Sequence, residues 1–416
     1  MQLMIILDGN VVALALPAIQ SDLGFSASGL AWVANAYLIP FGLLLLPFGR
    51  LGDMLGSRRV FMAGLAVFTA ASLACGLATS AEMLLAARAV QGAGGAAAAA
   101  VILGMIVTAY PRPGEQAWAL GLFSFVSAAG AAIGLIGGGV IASAFGWHWI
   151  FLVNVPIGLG AFLLAPFVVP ASPRVRGLRR PRVAVGPAHL TAALVFAAGF
   201  GFQFMTALYM QNVLGYSAAE AGLAFLPTPV VIGAVSLLLA PVLTSRYGAR
   251  RVLLVGLGSF VAGLLLLSRA PVAGSFVVDL LPVFILAGIG VGLAIPAVNM
   301  LAMADAAPSD TGFASGLVNT VQQAGAVVSL AVLTSVAAAR TRSAVDATPE
   351  AALRDGYMLG ALLAAGFVAV ALIITASTGR RRASAVPAEV PPTEGGRRIV
   401  GGSPVDAAGR VHCDVT

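Results

Sequence analysis

Apolar runs long enough to cross a lipid bilayer follow one another, with few interruptions, from residue 1 to about Ser377. That repetition constrains the fold more than any other feature. A spanning helix needs about 20 mainly apolar residues. Runs of that kind occupy roughly 1–20, 29–50, 60–79, 81–109, 117–144 and 149–170, and then 188–212, 219–245, 252–268, 276–303, 311–338 and 356–377. The chain is 59% hydrophobic and 9% charged, against roughly 25% charged in ordinary soluble proteins. A soluble fold cannot bury that much apolar surface and still present a wettable exterior, so lipid must serve as a second solvent. The runs predict an all-α integral membrane protein with about 12 transmembrane helices in two six-helix bundles, 1–170 and 188–378. The basic segment 171–187 links them, and residues 379–416, rich in Pro, Gly, Arg and Ala, read as a disordered cytoplasmic tail. No cleavable leader is evident, because the first run ends in ALPAIQSDLG and reads as a retained helix.

Charge gives the expected orientation. Net charge is +7, and all the basic residues are Arg. With the N-terminus inside, 18 Arg fall in inner loops, linker and tail, whereas Arg269, Arg340, Arg342 and Arg354 fall outside and Arg88 lies within a helix. The positive-inside bias then places both termini in the cytoplasm of a cell (inner) membrane. Arg residues confined to short gaps between apolar runs suit anionic headgroups rather than nucleic acid. Cys75 and Cys413 are too far apart in the sequence to suggest a disulfide framework. His148 and His189 are isolated, and the His412–Cys413 pair falls short of a metal site. No nucleophile–base cluster is visible either, so the expectation is a carrier rather than an enzyme, with no cofactor and no metal.

An internal repeat supports two halves. Residues 48–60, FGRLGDMLGSRRV, align with residues 240–252, APVLTSRYGARRV, at a constant offset of 192. Leu51 pairs with Leu243, Gly56 with Gly248, Arg58 with Arg250 and Arg59 with Arg251, each time after the second helix of a half. Repeated halves with a substrate site between them near mid-membrane are one of the plans of secondary transporters.

The first copy, GRLGDMLGSRR from Gly49 to Arg59, resembles the signature loop of the major facilitator superfamily. Together with the motifs below, the chain resembles the superfamily's drug:proton antiporter branch over most of Leu7 to Ser377. Gly49, Gly52 and Gly56 suit a tight cytoplasmic turn between close helices. Asp53 suits acceptance of hydrogen bonds from Arg residues or from a helix N-terminus across the two halves. The resemblance implies that Gly49, Asp53, Gly56, Arg58 and Arg59 form a gate; the competing reading is a basic turn that only sets topology. The second copy has Ser245 in place of the acid, so no equivalent lock is expected there.

LLAARAVQGAGGA, Leu84–Ala96, places Arg88 and Gln91 on one helix face. Arg inside a membrane helix is costly and turns to a cavity or a partner. The resemblance implies a place for Arg88 near the proton path; bonding to carbonyls of a neighbouring helix is the structural alternative. The glycines that follow, and those of GIGVG (Gly288–Gly292), read as close packing, because no strand precedes them as a nucleotide loop requires. LDGNVVALALPAI, Leu7–Ile19, resembles the branch's first helix, and Asp8 is the one acid well inside an apolar run. A carboxylate there resists ionisation, which suits a group that takes a proton from one side and releases it to the other. Only seven residues precede Asp8, so either the true start lies upstream, the favoured reading, or the helix is short and Asp8 is a wetted, inert group near the surface. The branch usually carries Thr and Asn where this chain has Asn10 and Ala13.

GAAIGLIGGGV, Gly130–Val140, resembles the glycine-rich fifth-helix motif of exporters, with Gly130, Gly134 and Gly138 as packing positions and Leu135 where Pro is usual. FGWHWIFLVNVPIG, containing Asn154, again follows the branch, with His148 in place of Arg. Trp147 and Trp149 are expected to mark the outer membrane interface. In the second half, Gln203, Gln211, Asn299, Asn319 and Gln322 are, with Gln91 and Asn154, candidates for lining the cavity. The branch normally inserts two further helices between its halves, and their absence predicts twelve helices rather than fourteen.

The expected function is secondary transport: inward-moving protons, without any cofactor, drive small amphipathic molecules such as drugs or antibiotics outward through a monomer in the bilayer. A facilitator or proton symporter for a small metabolite, and a transport-inactive membrane scaffold or sensor, are the alternatives.

Overall fold

The computed structural model describes residues 1–25, 27–169, 185–343 and 348–383. Most of the expected linker and tail therefore lies outside the described residues. The first half contains α1 (Gln2–Leu23), α2 (Ala27–Leu55), α3 (Ser57–Gly76), α4 (Ala81–Ala109), α5 (Pro113–Phe145), the short α6 (His148–Leu152) and α7 (Asn154–Val168). The second contains α8 (Pro187–Asn212), α9 (Ala218–Phe225), α10 (Pro227–Ala234), a π turn (Val235–Leu239) and α11 (Ala240–Tyr247). It continues with α12 (Ala249–Leu267), a second π turn (Phe276–Leu280), α13 (Leu281–Met303), α14 (Thr311–Ser343) and α15 (Pro349–Ala383). There is no strand among the described residues. Eleven helices from Trp32 onward are long and apolar enough to cross a membrane, and α1 adds a 22-residue apolar helix before them.

Helix is the necessary choice in lipid, because only it satisfies every backbone N–H and C=O within one segment. Large apolar side chains such as Leu43, Phe167 and Val278 remain 70–87% exposed. In water that exterior would be unsustainable; against acyl chains it is the expected surface. Inside, each half has its own apolar core, one around Phe202, Phe260 and Phe284, another around Leu65, Phe68 and Ala96.

The repeat seen in the sequence recurs in three dimensions. Gly56 and Gly248 both adopt positive φ, 96° and 83°, at the starts of α3 and α12, a conformation that side chains bearing a Cβ avoid. Arg58 donates to the Pro166 carbonyl of α7 at 2.9 Å, and Arg250 to the carbonyls of Thr375 and Ala376 in α15. Each Arg thus ties the third spanning segment of its half to the last. Where α3 crosses α4, a Cβ on Gly64 would lie 2.8 Å from the Gly94 carbonyl oxygen; where α12 crosses α13, one on Gly256 would lie 2.8 Å from that of Gly290. The glycines of GAGGA and GIGVG are packing positions.

Several expectations need adjustment. The run 149–170 is broken at Val153, between α6 and α7, and the run 219–245 is divided into α9, α10, a π turn and α11. Pro227 and Pro229 explain the first of the latter breaks, since neither supplies a backbone donor to the turn before it. The last helix reaches Ala383, beyond the expected boundary at 378. Trp147 is not an interfacial ring: it is buried, stacks on His148 and donates to Asp22 at 2.9 Å. Trp149 is 51% exposed.

Candidate functional site

Asp8 of α1 and Arg88 of α4 meet inside the first half, neither more than 2% exposed. Arg88 Nη1 donates to Asp8 Oδ2 at 2.6 Å and to Gln91 Oε1 at 2.7 Å, and Nε donates to the Val33 carbonyl of α2 at 3.0 Å. Gln91 Nε2 donates to Asp8 Oδ1 at 3.0 Å and to Ser72 Oγ of α3 at 2.8 Å. The Cys75 thiol donates to Gln91 Oε1. The guanidinium lies over the Tyr37 ring at 4.5 Å and the Phe151 ring at 5.6 Å.

The local sequence makes this possible. Arg88 and Gln91, one turn apart, share a face of α4, and small residues on α4 let α2 and α3 approach. Asp8 is fully buried, so its carboxyl is not wetted. The carbonyl-bonded alternative for Arg88 holds in part, since Val33 is one of its partners. Burying a charge pair costs several kcal/mol per ion unless further hydrogen bonds satisfy both members, and here Gln91 bridges the two. Chemically, the cluster is a buried carboxylate whose charge is matched by one cation and whose two oxygens are both held by hydrogen bonds.

Asn154, at the start of α7, is a further buried polar group. It is fully buried, and neither amide atom has a hydrogen-bond partner among the described residues. A Cβ on Gly158 would meet Thr69, and one on Gly76 would meet Leu152. These contacts pack α6 and α7 against α3.

A second constellation joins the halves. Asp53, at the end of α2, accepts from the backbone N–H groups of Gly312 (2.7 Å) and Phe313 (2.9 Å), in the first turn of α14. A helix N-terminus is a natural seat for a carboxylate, with unpaired donors and the positive end of the helix dipole. Arg50 lies 4.0 Å from Asp53 and 3.6 Å from Asp310. The backbones almost touch here: a Cβ on Gly49 would lie 2.5 Å from the Gly312 carbonyl oxygen, and one on Gly312 2.5 Å from that of Gly49. Of the five residues expected to form a gate, Gly49 and Asp53 make the contact between halves. Gly56 shapes the turn, Arg58 bonds within its own half, and Arg59 is exposed. Arg50 and Asp310 belong to the cluster and were not among the candidates.

A third feature is a cavity of about 200 Å³ bounded by α8, α9, α10 and α13, with Ala131 of α5 from the other half. Its wall is aromatic and aliphatic, and its polar members are Gln203 and Thr228. The Thr228 hydroxyl is buried and has no hydrogen-bond partner among the described residues.

The remaining cavity candidates lie elsewhere. Gln91 belongs to the ion-pair cluster. Gln211 is exposed near the end of α8. Asn299 accepts from Gln322 at 2.8 Å, joining α13 to α14. Asn319 donates to the Ala99 carbonyl at 3.4 Å and to its own helix at Ser315, joining α14 to α4. These amides are helix-to-helix bonds, apart from Gln211. Gly130 faces Leu3 and Ile6 of α1 and Gly134 is buried, whereas the surroundings of Gly138 lie outside what is described.

Comparison with known proteins agrees with this architecture. A model of the Major Facilitator Superfamily matches residues 1–330. The chain is 32% identical to the puromycin resistance protein pur8 of Streptomyces alboniger, over 90% of this chain and 88% of that one. It is 33% identical to the cephamycin export protein CmcT of Amycolatopsis lactamdurans, over 81% and 83%. Against the probable actinorhodin transporter of Streptomyces coelicolor the identity is 34%, over 80% and 70%. The crystal structure of the human organic anion transporter MFSD10 superimposes with a TM-score of 0.73 at 12% identity, covering 90% of this chain and 97% of that one, a likeness of fold.

Proposed function

The chain belongs to the major facilitator superfamily, and from that premise we propose that it is a proton-driven exporter of small amphipathic molecules, antibiotics among them. The observation that carries the reading is the buried Asp8–Arg88 pair with its Gln91 bridge. The export direction and substrate class are taken from the relatives, whose names speak of puromycin resistance and cephamycin export.

In this mechanism a proton reaching Asp8 neutralises the carboxylate and dissolves the ion pair. Arg88 is then left on Gln91 Oε1, the Val33 carbonyl and the Tyr37 and Phe151 rings, and α1 is free to shift against α4. Both termini are taken as cytoplasmic, from the 18 to 4 distribution of Arg across the two sides. The end of the molecule closed by Asp53 on α14 is then the cytoplasmic one, and the cavity is reached from outside. Loss of the proton from Asp8 restores the pair; proton binding and cytoplasmic opening alternate. No cofactor enters; the proton gradient across the cell membrane is the energy source, and one chain suffices.

The test is efflux of a fluorescent substrate from cells, with and without a protonophore, for the wild type and Asp8→Asn. The expected result is efflux that collapses with the gradient in the wild type and is lost in the variant. Efflux by Asp8→Asn that still follows the proton gradient would remove Asp8 from the mechanism.

A further inference from the structure

The aromatic cavity holds a polar group that the fold does not use. Thr228 sits in the first turn of α10, just after the break enforced by Pro227. It is 5% exposed, lines the cavity, and its hydroxyl has no partner among the described residues. A buried hydroxyl without a partner is destabilising, a cost that a bound acceptor would remove. Around it stand Phe196, Phe200, Phe202 and Phe225, and across the wall Gln203 is the second polar group. None of the lining residues is charged. The nearby aromatic cluster is built for ring contacts, with Phe202 and Phe225 centroids 5.6 Å apart. Asp8, which a cation would seek, is fully buried in the other half and already holds Arg88.

We infer that this cavity is a substrate site for uncharged aromatic molecules carrying a hydrogen-bond acceptor, with Thr228 donating to that acceptor and Gln203 fixing orientation. The substrate is thus held almost wholly by the second half and the proton by the first. A cation in the cavity would lose its hydration and gain ring faces but no carboxylate, so permanent cations are weaker ligands here than neutral aromatic molecules. This deepens the exporter reading and rests on it only for the direction of transport.

The experiment measures binding to the purified full-length protein in detergent, without any gradient. The probes are the neutral fluorescent lactone 7-diethylaminocoumarin and the aromatic cation ethidium. The wild type should bind the coumarin at least tenfold more tightly than ethidium. Thr228→Val, which keeps the shape but removes the donor, should weaken coumarin binding about tenfold, and Thr228→Ser should restore most of it. Gln203→Glu should reverse the preference toward ethidium. Equal binding of the two probes, binding of neither, or a Thr228→Val affinity within twofold of wild type in protein of unchanged Tm would overturn the inference. Coumarin binding with the expected pattern, but efflux indifferent to a protonophore, would instead defeat the exporter reading and leave the site standing.

Discussion

At the scale of single residues, the Asp8–Arg88 pair is asymmetric in what its loss would cost. Removing one member of a buried pair leaves an uncompensated charge, at about 3–5 kcal/mol. Arg88→Ala should therefore lower the Tm of the purified protein strongly. Asp8→Asn keeps an acceptor for Arg88 but leaves its permanent cation buried without a carboxylate, so its Tm should fall as well, while transport is lost. The double variant Asp8→Asn/Arg88→Met should recover much of the stability lost by Arg88→Ala and none of the transport, a contrast that thermal unfolding and efflux assays measure together. Asp8, Arg88 and Gln91 were legible because polar residues inside apolar runs are conspicuous. Tyr37, Ser72, Cys75 and the Val33 carbonyl were not: a ring, a hydroxyl, a thiol and a backbone oxygen are ordinary in such helices, and only packing brings the ring and the carbonyl to Arg88 and the hydroxyl and thiol to Gln91. Asn154 was legible as polar but not as unpartnered. An amide that bonds nothing stabilises nothing, so Asn154→Leu should leave Tm unchanged or raise it, and any loss of transport would mark a role in another conformation.

At the scale of helices, the contact of α2 with α14 depends on two glycines and one acid. With Cβ positions 2.5 Å from the opposing carbonyls, Gly49→Val or Gly312→Val must separate the helices at the end where Asp53 caps α14. Asp53→Asn keeps the size but replaces the carboxylate by a neutral amide at the helix N-terminus, where a charge contributes about 0.3–1 kcal/mol and up to about 2 when partly buried. A cysteine placed at Ser315, which is buried next to this crossing, reports the change. In a Cys75→Ala/Cys413→Ala background, its labelling by a membrane-permeant maleimide should rise severalfold in Gly312→Val and more modestly in Asp53→Asn. Labelling unchanged in Gly312→Val would show that this crossing does not hold the end closed. The sequence foretold an acid facing a helix N-terminus across the halves, because the glycines around Asp53 advertise close approach. It did not disclose that Arg58 and Arg250 brace their own halves, since a cation beside a turn has the same sequence appearance whether it reaches inward or across. Nor did it reveal the division of the run 219–245, where hydropathy continues unbroken through the π turn.

For the whole molecule, the proposed mechanism divides the work between the halves: a buried carboxylate in one, an uncharged aromatic cavity in the other. That division has an electrical consequence. If each neutral molecule leaves as one proton enters through Asp8, every cycle moves one positive charge inward. An interior-negative potential of 100 mV then contributes about 2.3 kcal/mol per cycle, enough on its own for a concentration ratio of roughly fifty-fold. In proteoliposomes with the protein inserted outside-out, a potassium diffusion potential, negative inside and imposed at equal pH on both sides, should drive coumarin outward. Reversing the potential should reverse the flux. Asp8→Asn should abolish both responses, because without a proton the neutral cargo carries no charge for the field to act upon. Flux that follows a pH gradient but ignores potential would mean that a compensating charge travels with the cargo, and the uncharged cavity offers no group to accompany one. The response to potential alone thus tests, in one measurement, whether proton and cargo sites are as electrically distinct as their positions in the two halves make them.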